Sequence, residues 1–466
     1  MSKLVLVIGQ EWKQFRKSTA ALISSSVLLV LLLLSGYLGH LEKQAIDRQA
    51  KEASAHIRQQ WDNQGAGNPH GAAHLGTYVF KPTGAMAGFD EGVEEVTGRA
   101  LFLEGHRQNE IQFSTGAQSL SGSPFGKLKP SLLLQLVVPL LLIFMVYSSL
   151  NQERKADRIR IILSQSGSFR VWFVGKILFF WCMGVVLLLI TLAVPLISEG
   201  AGDELGRALL IGVVYALYYW IICSLTAVLT LKFPQPAHAL STMLVLWILW
   251  GLLLPKLAGS IAGYLNPLPS RQELTEAMKT DRAEGIDGHN PDSEKLELLK
   301  DSIMAHYQVR EIKDLPINFD GLLMQADEEF GNTVWDIHFG KLYKQMEQQK
   351  LAVQMSGLIN PFQSLKTLSI GLSGTDLSHH LSYMDQAENY RRGFIRLLNE
   401  KHAYGGSKTG DWDWEAEADF YSGMADFTYQ PMSLSQIFRY TAPALATLLL
   451  WFGLSILFIF LTKYHL

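Results

Sequence analysis

Residues 18–41 read STAALISSSVLLVLLLLSGYLGHL, 24 positions without Asp, Glu, Lys or Arg. A helix rises about 1.5 Å per residue, so about 20 apolar residues cross the ~30 Å hydrocarbon core of a bilayer. Five further windows of 22 to 24 residues share the property: Pro130–Gln152, Ile177–Ser198, Ala208–Leu231, Phe233–Pro255 and Tyr440–Thr462. A charge at the bilayer centre costs about 2.5–3.5 kcal/mol on insertion scales. Six windows that avoid it predict six spanning helices, and the fold class expected is an all-α polytopic membrane protein. The apolar core Ala20–Leu38 is too long for the h-region of a cleaved signal peptide, and Ser35-Gly36-Tyr37 is a poor cleavage site.

With their flanks, the spans are expected at 18–41, 130–152, 173–198, 207–231, 239–263 and 440–462. Two long polar insertions, 42–129 and 265–435, dilute them to 48% hydrophobic residues overall. Positive charge in short loops marks the cytoplasm. Residues 1–17 hold Lys3, Lys13, Arg16 and Lys17 against Glu11, and the loop 153–172 holds Arg154, Lys155, Arg158, Arg160 and Arg170 against Glu153 and Asp157. Glu199, Asp203 and Glu204 mark the opposite side. Both termini are therefore expected in the cytoplasm, and both insertions on the outer, periplasmic side of a bacterial inner membrane. Between Asn266 and Gln430 there are 27 acidic and 16 basic residues, a balance that argues against nucleic acid or anionic lipid as the partner of that domain. Cys182 and Cys223 both fall inside spans, so the outer domain must hold together by packing rather than disulfides.

Val5, Ile8, Trp12 and Phe15 recur at helical spacing, with Glu11, Lys13, Arg16 and Lys17 mostly elsewhere. They predict an amphipathic helix over 1–17 lying at the membrane lipid interface, with Glu11, Trp12, Phe15 and Arg16 as its marker residues. No Gly or Pro interrupts His40–Gln60, so the first span is expected to run on as helix, its sparse stripe of Leu41, Ala45, Ile46, Ala53 and Ile57 packing on a helix over Asp320–Leu358. Both insertions would then form one domain. Residues 62–129, rich in Gly, Pro, Ser and His, predict loop and irregular structure. Further outer helices are expected after Pro291-Asp292-Ser293 and over Asp376–His402.

The loop Asn151–Lys176 reads NQERKADRIRIILSQSGSFRVWFVGK. It resembles the intracellular loop of type-2 ABC transporter permeases, roughly E-R-E-x-G-T-L-R-x-L-L-S-x-P-x-S-R followed by G-K. Glu153-Arg154 match the opening, Arg160 to Ser164 the middle, Gly167-Ser168 and Arg170 the P-x-S-R part, and Gly175-Lys176 the close. Ala156-Asp157-Arg158 departs from the usual pattern, and Gly167 falls near the usual Pro. Residues 76–108, 315–343 and 368–390 look like the outer stretches of one subset of these permeases, catalogued by a domain of unknown function. Relatives more distant in this resemblance serve copper maturation and gliding motility.

The resemblance implies a permease subunit, not an enzyme itself, that carries no cofactor. A cytoplasmic ABC ATPase dimer would hold ATP and Mg, and a second permease chain, the same or a sister, would complete the transporter. Glu153, Arg154, Arg158, Arg160, Ile162, Leu163 and Arg170 would seat a short coupling helix on that ATPase. The outcome would be export through a cavity between permease chains, or mechanical work on a periplasmic partner. A receptor or assembly scaffold without an ATPase is the rival class.

Three other features carry weaker chemistry. Gly405-Gly406-Ser407-Lys408-Thr409 is not a phosphate loop, because G-x-x-x-x-G-K-[ST] places Gly directly before Lys. Lys256 is the one charge within Ala239–Ala262, an intramembrane candidate that lies close enough to the outer end to snorkel. His70 and His74 are four apart, which suits two metal ligands only on a helix. Asn68-Pro69-His70-Gly71 argues against one, so solvated or capping histidines and no metal are expected there.

Overall fold

The computed structural model describes residues 3–110, 128–155, 159, 168–199, 203–284 and 294–462. The protein is an all-α polytopic membrane protein. Among the described residues, six helices are long and apolar enough to cross a membrane: Thr19–Asp62, Pro130–Arg154, Phe169–Leu196, Glu204–Lys232, Pro236–Leu265 and Leu434–Leu461. They are preceded by α1 (Lys3–Lys17), which ends at Ser18, whose side chain caps the first spanning helix by accepting from Ala21 N–H. That helix, α2 (Thr19–Asp62), is continuous for 44 residues, about 66 Å at 1.5 Å per residue. The expected extension beyond the first span is therefore present.

Beyond α2 the chain is more regular than its composition predicts. Helix α3 (Pro69–Leu75) leads into an antiparallel pair, β1 (Thr77–Phe80) and β2 (Ala100–Leu103), with Thr77 opposite Leu103. The second span, α4 (Pro130–Arg154), contains a π-helical turn at Leu133–Val137, just before Pro139. Spans three to five are α5 (Phe169–Glu199), α6 (Asp203–Lys232) and α7 (Pro236–Leu265). The second insertion contributes α8 (Arg271–Ala283), α9 (Glu294–Tyr307), α10 (Phe319–Met355), α11 (Pro361–Ser373) and α12 (Leu377–Tyr404) before the last span, α13 (Leu434–Leu461). The Pro291-Asp292-Ser293 helix start lies outside the described residues.

The two insertions build one domain, as expected, but through different partners. Helix α10 packs on α12, α7 and α8, not on the end of α2. The C-terminal end of α2 docks instead on β1 and on the tail of the second insertion. Trp61 packs between Phe394, tilted to it, and Tyr421, edge to face, and donates to the Tyr421 carbonyl at 3.0 Å. Arg58 donates to the Met424 carbonyl at 2.6 Å and to Asp426 at 3.0 Å. The stripe itself stays only partly covered, and the end of α2 is held by Trp61 and Arg58 rather than by a second long helix.

Helix α11 is buried on nearly every side among the spans. Phe362, Leu365, Leu368 and Leu372 belong to the same apolar core as α4, α5 and α6. The turn that leads into it is pinned by two span tryptophans: Trp250 donates to the Ile359 carbonyl at 3.0 Å and Trp451 to the Gly357 carbonyl at 3.0 Å. Asn360 caps the helix and donates back to the Trp250 carbonyl at 3.0 Å. The second insertion therefore does not lie wholly outside the bundle.

The first insertion also reaches the spans. Gly39 of α2 lies against the backbone of Gly88, where an added Cβ would sit 2.1 Å from a carbonyl oxygen. Two residues on, Asp90 is buried and accepts from Gln135 on the π-turn at 3.2 Å and from Ser369 of α11 at 2.6 Å. Burial pushes its carboxyl above the usual carboxylate range, against the pull of the Ser369 hydroxyl. A π-turn adds one residue per turn and redirects a side chain, and here it aims Gln135 at this joint.

Candidate functional site

At the opposite end of the bundle, α1 lies across the start of α5. Contact is close because Gly175 has no side chain: a Cβ there would come within 2.8 Å of Val7. The next residue, Lys176, is 1% exposed and spends all three of its donors. Its Nζ reaches Glu11 Oε1 of α1 at 2.5 Å, Ser149 Oγ of α4 at 2.7 Å and Glu153 Oε1 of α4 at 3.0 Å. Ser149 in turn donates to Glu11 Oε2 at 2.7 Å, and Trp172 Nε1 donates to Glu153 Oε2 at 3.1 Å. One buried ammonium therefore joins three helices. Breaking such a pair by removing one partner typically costs about 3–5 kcal/mol, because the remaining charge stays buried.

Within the N-terminal helix, Ile8 and Phe15 pack against the core of the bundle, and Glu11 departs from the polar face on which its spacing places it. Glu11 is its one buried residue, whereas Val5 and Trp12 are 46% and 51% exposed. Phe15 is half-buried, meeting Phe179 of α5 at a ring separation of 6.2 Å, and Arg16 is exposed. The helix turns its carboxylate inward because Lys176 waits there, and it leaves Trp12 on the outside.

Of the loop residues read as a coupling segment, three are tied into the helix ends. Glu153 belongs to the ionic cluster. Arg154 donates to the carbonyls of Thr230 and Phe233 at 2.9 and 2.6 Å and to that of Pro234 at 2.9 Å. It thereby fastens the loop to the turn between α6 and α7. Arg170 lies over the Phe460 ring at 5.6 Å. Arg158, Arg160, Ile162 and Leu163 lie outside the described residues, although Ile159 between them is completely buried. Lys256 stands exposed on α7 and takes no part in the cluster.

Sequence reading missed Lys176 as the centre of this site, since a Gly-Lys pair opening a span also reads as an ordinary positive-inside boundary. It missed Ser149 and Trp172 for want of any local signal. The stretch Ser407-Lys408-Thr409 proves to be a cap for α10: Asn318 donates to Ser407 Oγ at 2.9 Å and to the Lys408 carbonyl at 2.8 Å, and Phe319 N–H donates to Thr409 Oγ1 at 2.9 Å.

Residues 271–430, about a third of the chain, match a family described as Domain of unknown function (DUF3526). No curated protein and no solved structure matches the chain.

Proposed function

We propose that the chain is the membrane-spanning permease subunit of a bacterial type-2 ABC transporter, with a separate cytoplasmic ATPase dimer and a second permease chain as partners. Its termini lie in the cytoplasm of this assembly, and the domain built from the two insertions faces the periplasm of the inner membrane. ATP and Mg are held by the ATPase.

One observation carries the reading: the Glu11–Lys176–Glu153 cluster. The basic loop leaves the membrane at Glu153 and re-enters just before Lys176; Lys176 bonds Glu11 of the N-terminal helix directly, and Glu153 is tied to it through the same ammonium. A displacement applied to the loop by an ATPase therefore moves α1, α4 and α5 together. Helix α5 packs along α2, and α2 continues unbroken to Trp61 in the outer domain. This rigid path favours mechanical transmission to the outer domain over a purely passive scaffold.

Charge reversal at Arg158 and Arg160 tests the reading. The double variant should insert and fold as the unchanged chain does, and lose either its ATPase partner or the dependence of outer-domain conformation on ATP. Full assembly with unchanged ATP-driven motion would contradict it.

A further inference from the structure

Three histidines converge at the surface of the outer domain, far along the chain from the loop. Asn68 accepts from the backbone N–H groups of His70 and Gly71, and Pro69 occupies the first helical turn, so Asn-Pro starts α3 rather than preventing it. This corrects the expectation that Asn68-Pro69-His70-Gly71 argues against a helix here. His70 and His74 now share one helix face, with their Nε2 atoms 3.1 Å apart. Two imidazole nitrogens on one tetrahedral Zn2+ would sit about 3.3 Å apart, given Zn–N bonds of ~2.0–2.1 Å.

His106 supplies the third ring from the turn after β2. Its ring centre is 5.6 Å from that of His70 and 5.1 Å from that of His74. One donor atom from each of the three lies within 4.8 Å of the others. His106 is held in the left-handed region at φ +65°, uncommon for a residue with a side chain. Its backbone N–H donates to Glu328, and its Nδ1 lies 3.3 Å from both Asp327 and Glu328. Those carboxylates are fixed from behind by Arg282 at 2.7 Å and Arg391 at 3.0 Å. A carboxylate behind the second ring nitrogen is how proteins orient a metal-binding imidazole. Trp412 packs on His70 with ring centres 5.5 Å apart, and His74 is exposed, so the cluster has a wall on one side and an opening on the other.

We propose that His70, His74 and His106 bind one first-row divalent cation of the Zn2+ or Cu2+ class, with a coordination position left open on the solvent side. Imidazole donors suit these ions, and three ligands with an open fourth position distinguish such a centre from a closed structural site. The cation would bridge α3 and the β2 turn, and reinforce the docking of the first insertion on α10.

The test uses the full-length chain without a polyhistidine tag, purified in detergent and stripped with chelator. Titration calorimetry with Zn2+ should give one site per chain. His74→Ala, a change at an exposed position, should weaken binding at least about tenfold, as should Asp327→Asn behind His106. His56→Ala, exposed on α2 and outside the cluster, should bind as the unchanged chain does. Cu2+ should show nitrogen hyperfine structure in its electron paramagnetic resonance spectrum, diminished in His74→Ala. Absence of a saturable single site, or equal binding by His74→Ala with unfolding temperature unchanged, would overturn the proposal. Neither result bears on the ATPase reading.

Discussion

Lys176 Nζ and Glu11 Oε1 lie 2.5 Å apart although 165 positions separate them in the chain. Both are almost completely buried, and Glu153 brings a second carboxylate to the same ammonium. Replacing Lys176 by Met should therefore be the most damaging change at this end of the molecule, costing about 3–5 kcal/mol because two carboxylates would be left without a counter-charge. Glu11→Gln should cost clearly less, since the amide still bonds Ser149 and the cluster loses surplus negative charge. Unfolding temperatures of the two variants in detergent check the order; equal, small shifts would mean that the cluster does not hold the helices together.

Gly175→Leu should displace the N-terminal helix without touching any charge. The Cβ alone would meet Val7 at 2.8 Å and Leu4 at 3.3 Å, and a leucine adds three more carbons to that contact. Trypsin should then cut faster at the exposed Lys13 and Arg16. Gly259→Ala, where a Cβ meets nothing within 4 Å, should leave the cleavage rate unchanged.

What was legible in the sequence follows from range. The six spans and the unbroken α2 are written in local composition, because absence of charge and absence of breakers are properties of consecutive residues. Helix α11 escaped because its 13 residues, with Lys366 among them, are too few and too polar to register as a span. The partner of α2 was misjudged because aromatic anchors such as Trp61 and Tyr421 are 360 residues apart. Periodicity places Glu11 on the polar face because it cannot see that an ammonium from α5 meets it. At His70 the signal was present and misread: Asn-Pro is a break in a strand or helix interior but a strong start at a helix N-terminus.

Arg58→Ala combined with Trp61→Ala should loosen both insertions at once. These two side chains hold the outer end of α2 to residues 421–426. Limited proteolysis of detergent-solubilised protein should show new cleavage both in residues 63–110 and in residues 405–430. New cleavage confined to the first segment would mean that the insertions are separate domains.

His380 sets an acid limit on the outer domain. Burial, with Lys81 nearby adding to it, holds the imidazole pKa down to about 4. The unfolded chain takes up this proton near pH 6.5. Stability is therefore unaffected above that pH, falls as pH drops from about 6.5 to 4, and by then has lost about 3 kcal/mol from this group. His380→Gln should flatten that part of the profile of unfolding temperature against pH. The Asp376 carboxylate, held low by the His379 hydrogen bond despite its burial, contributes stability above the usual carboxylate range that is lost only as pH falls below about 4. A slope unchanged by His380→Gln would show that the imidazole is protonated in the fold.

The most direct test of the permease reading is recovery of its motor. The full chain, carrying a C-terminal affinity tag and purified from its native membranes under mild detergent, should bring down a soluble protein with Walker motifs in about equal molar amount. The ATPase activity of that complex should fall to background when Arg158 and Arg160 are both replaced by Glu. A preparation that contains the intact chain and a well-folded outer domain but no ATPase, or an ATPase bound equally by the charge-reversed loop, would contradict it and favour a receptor or scaffold.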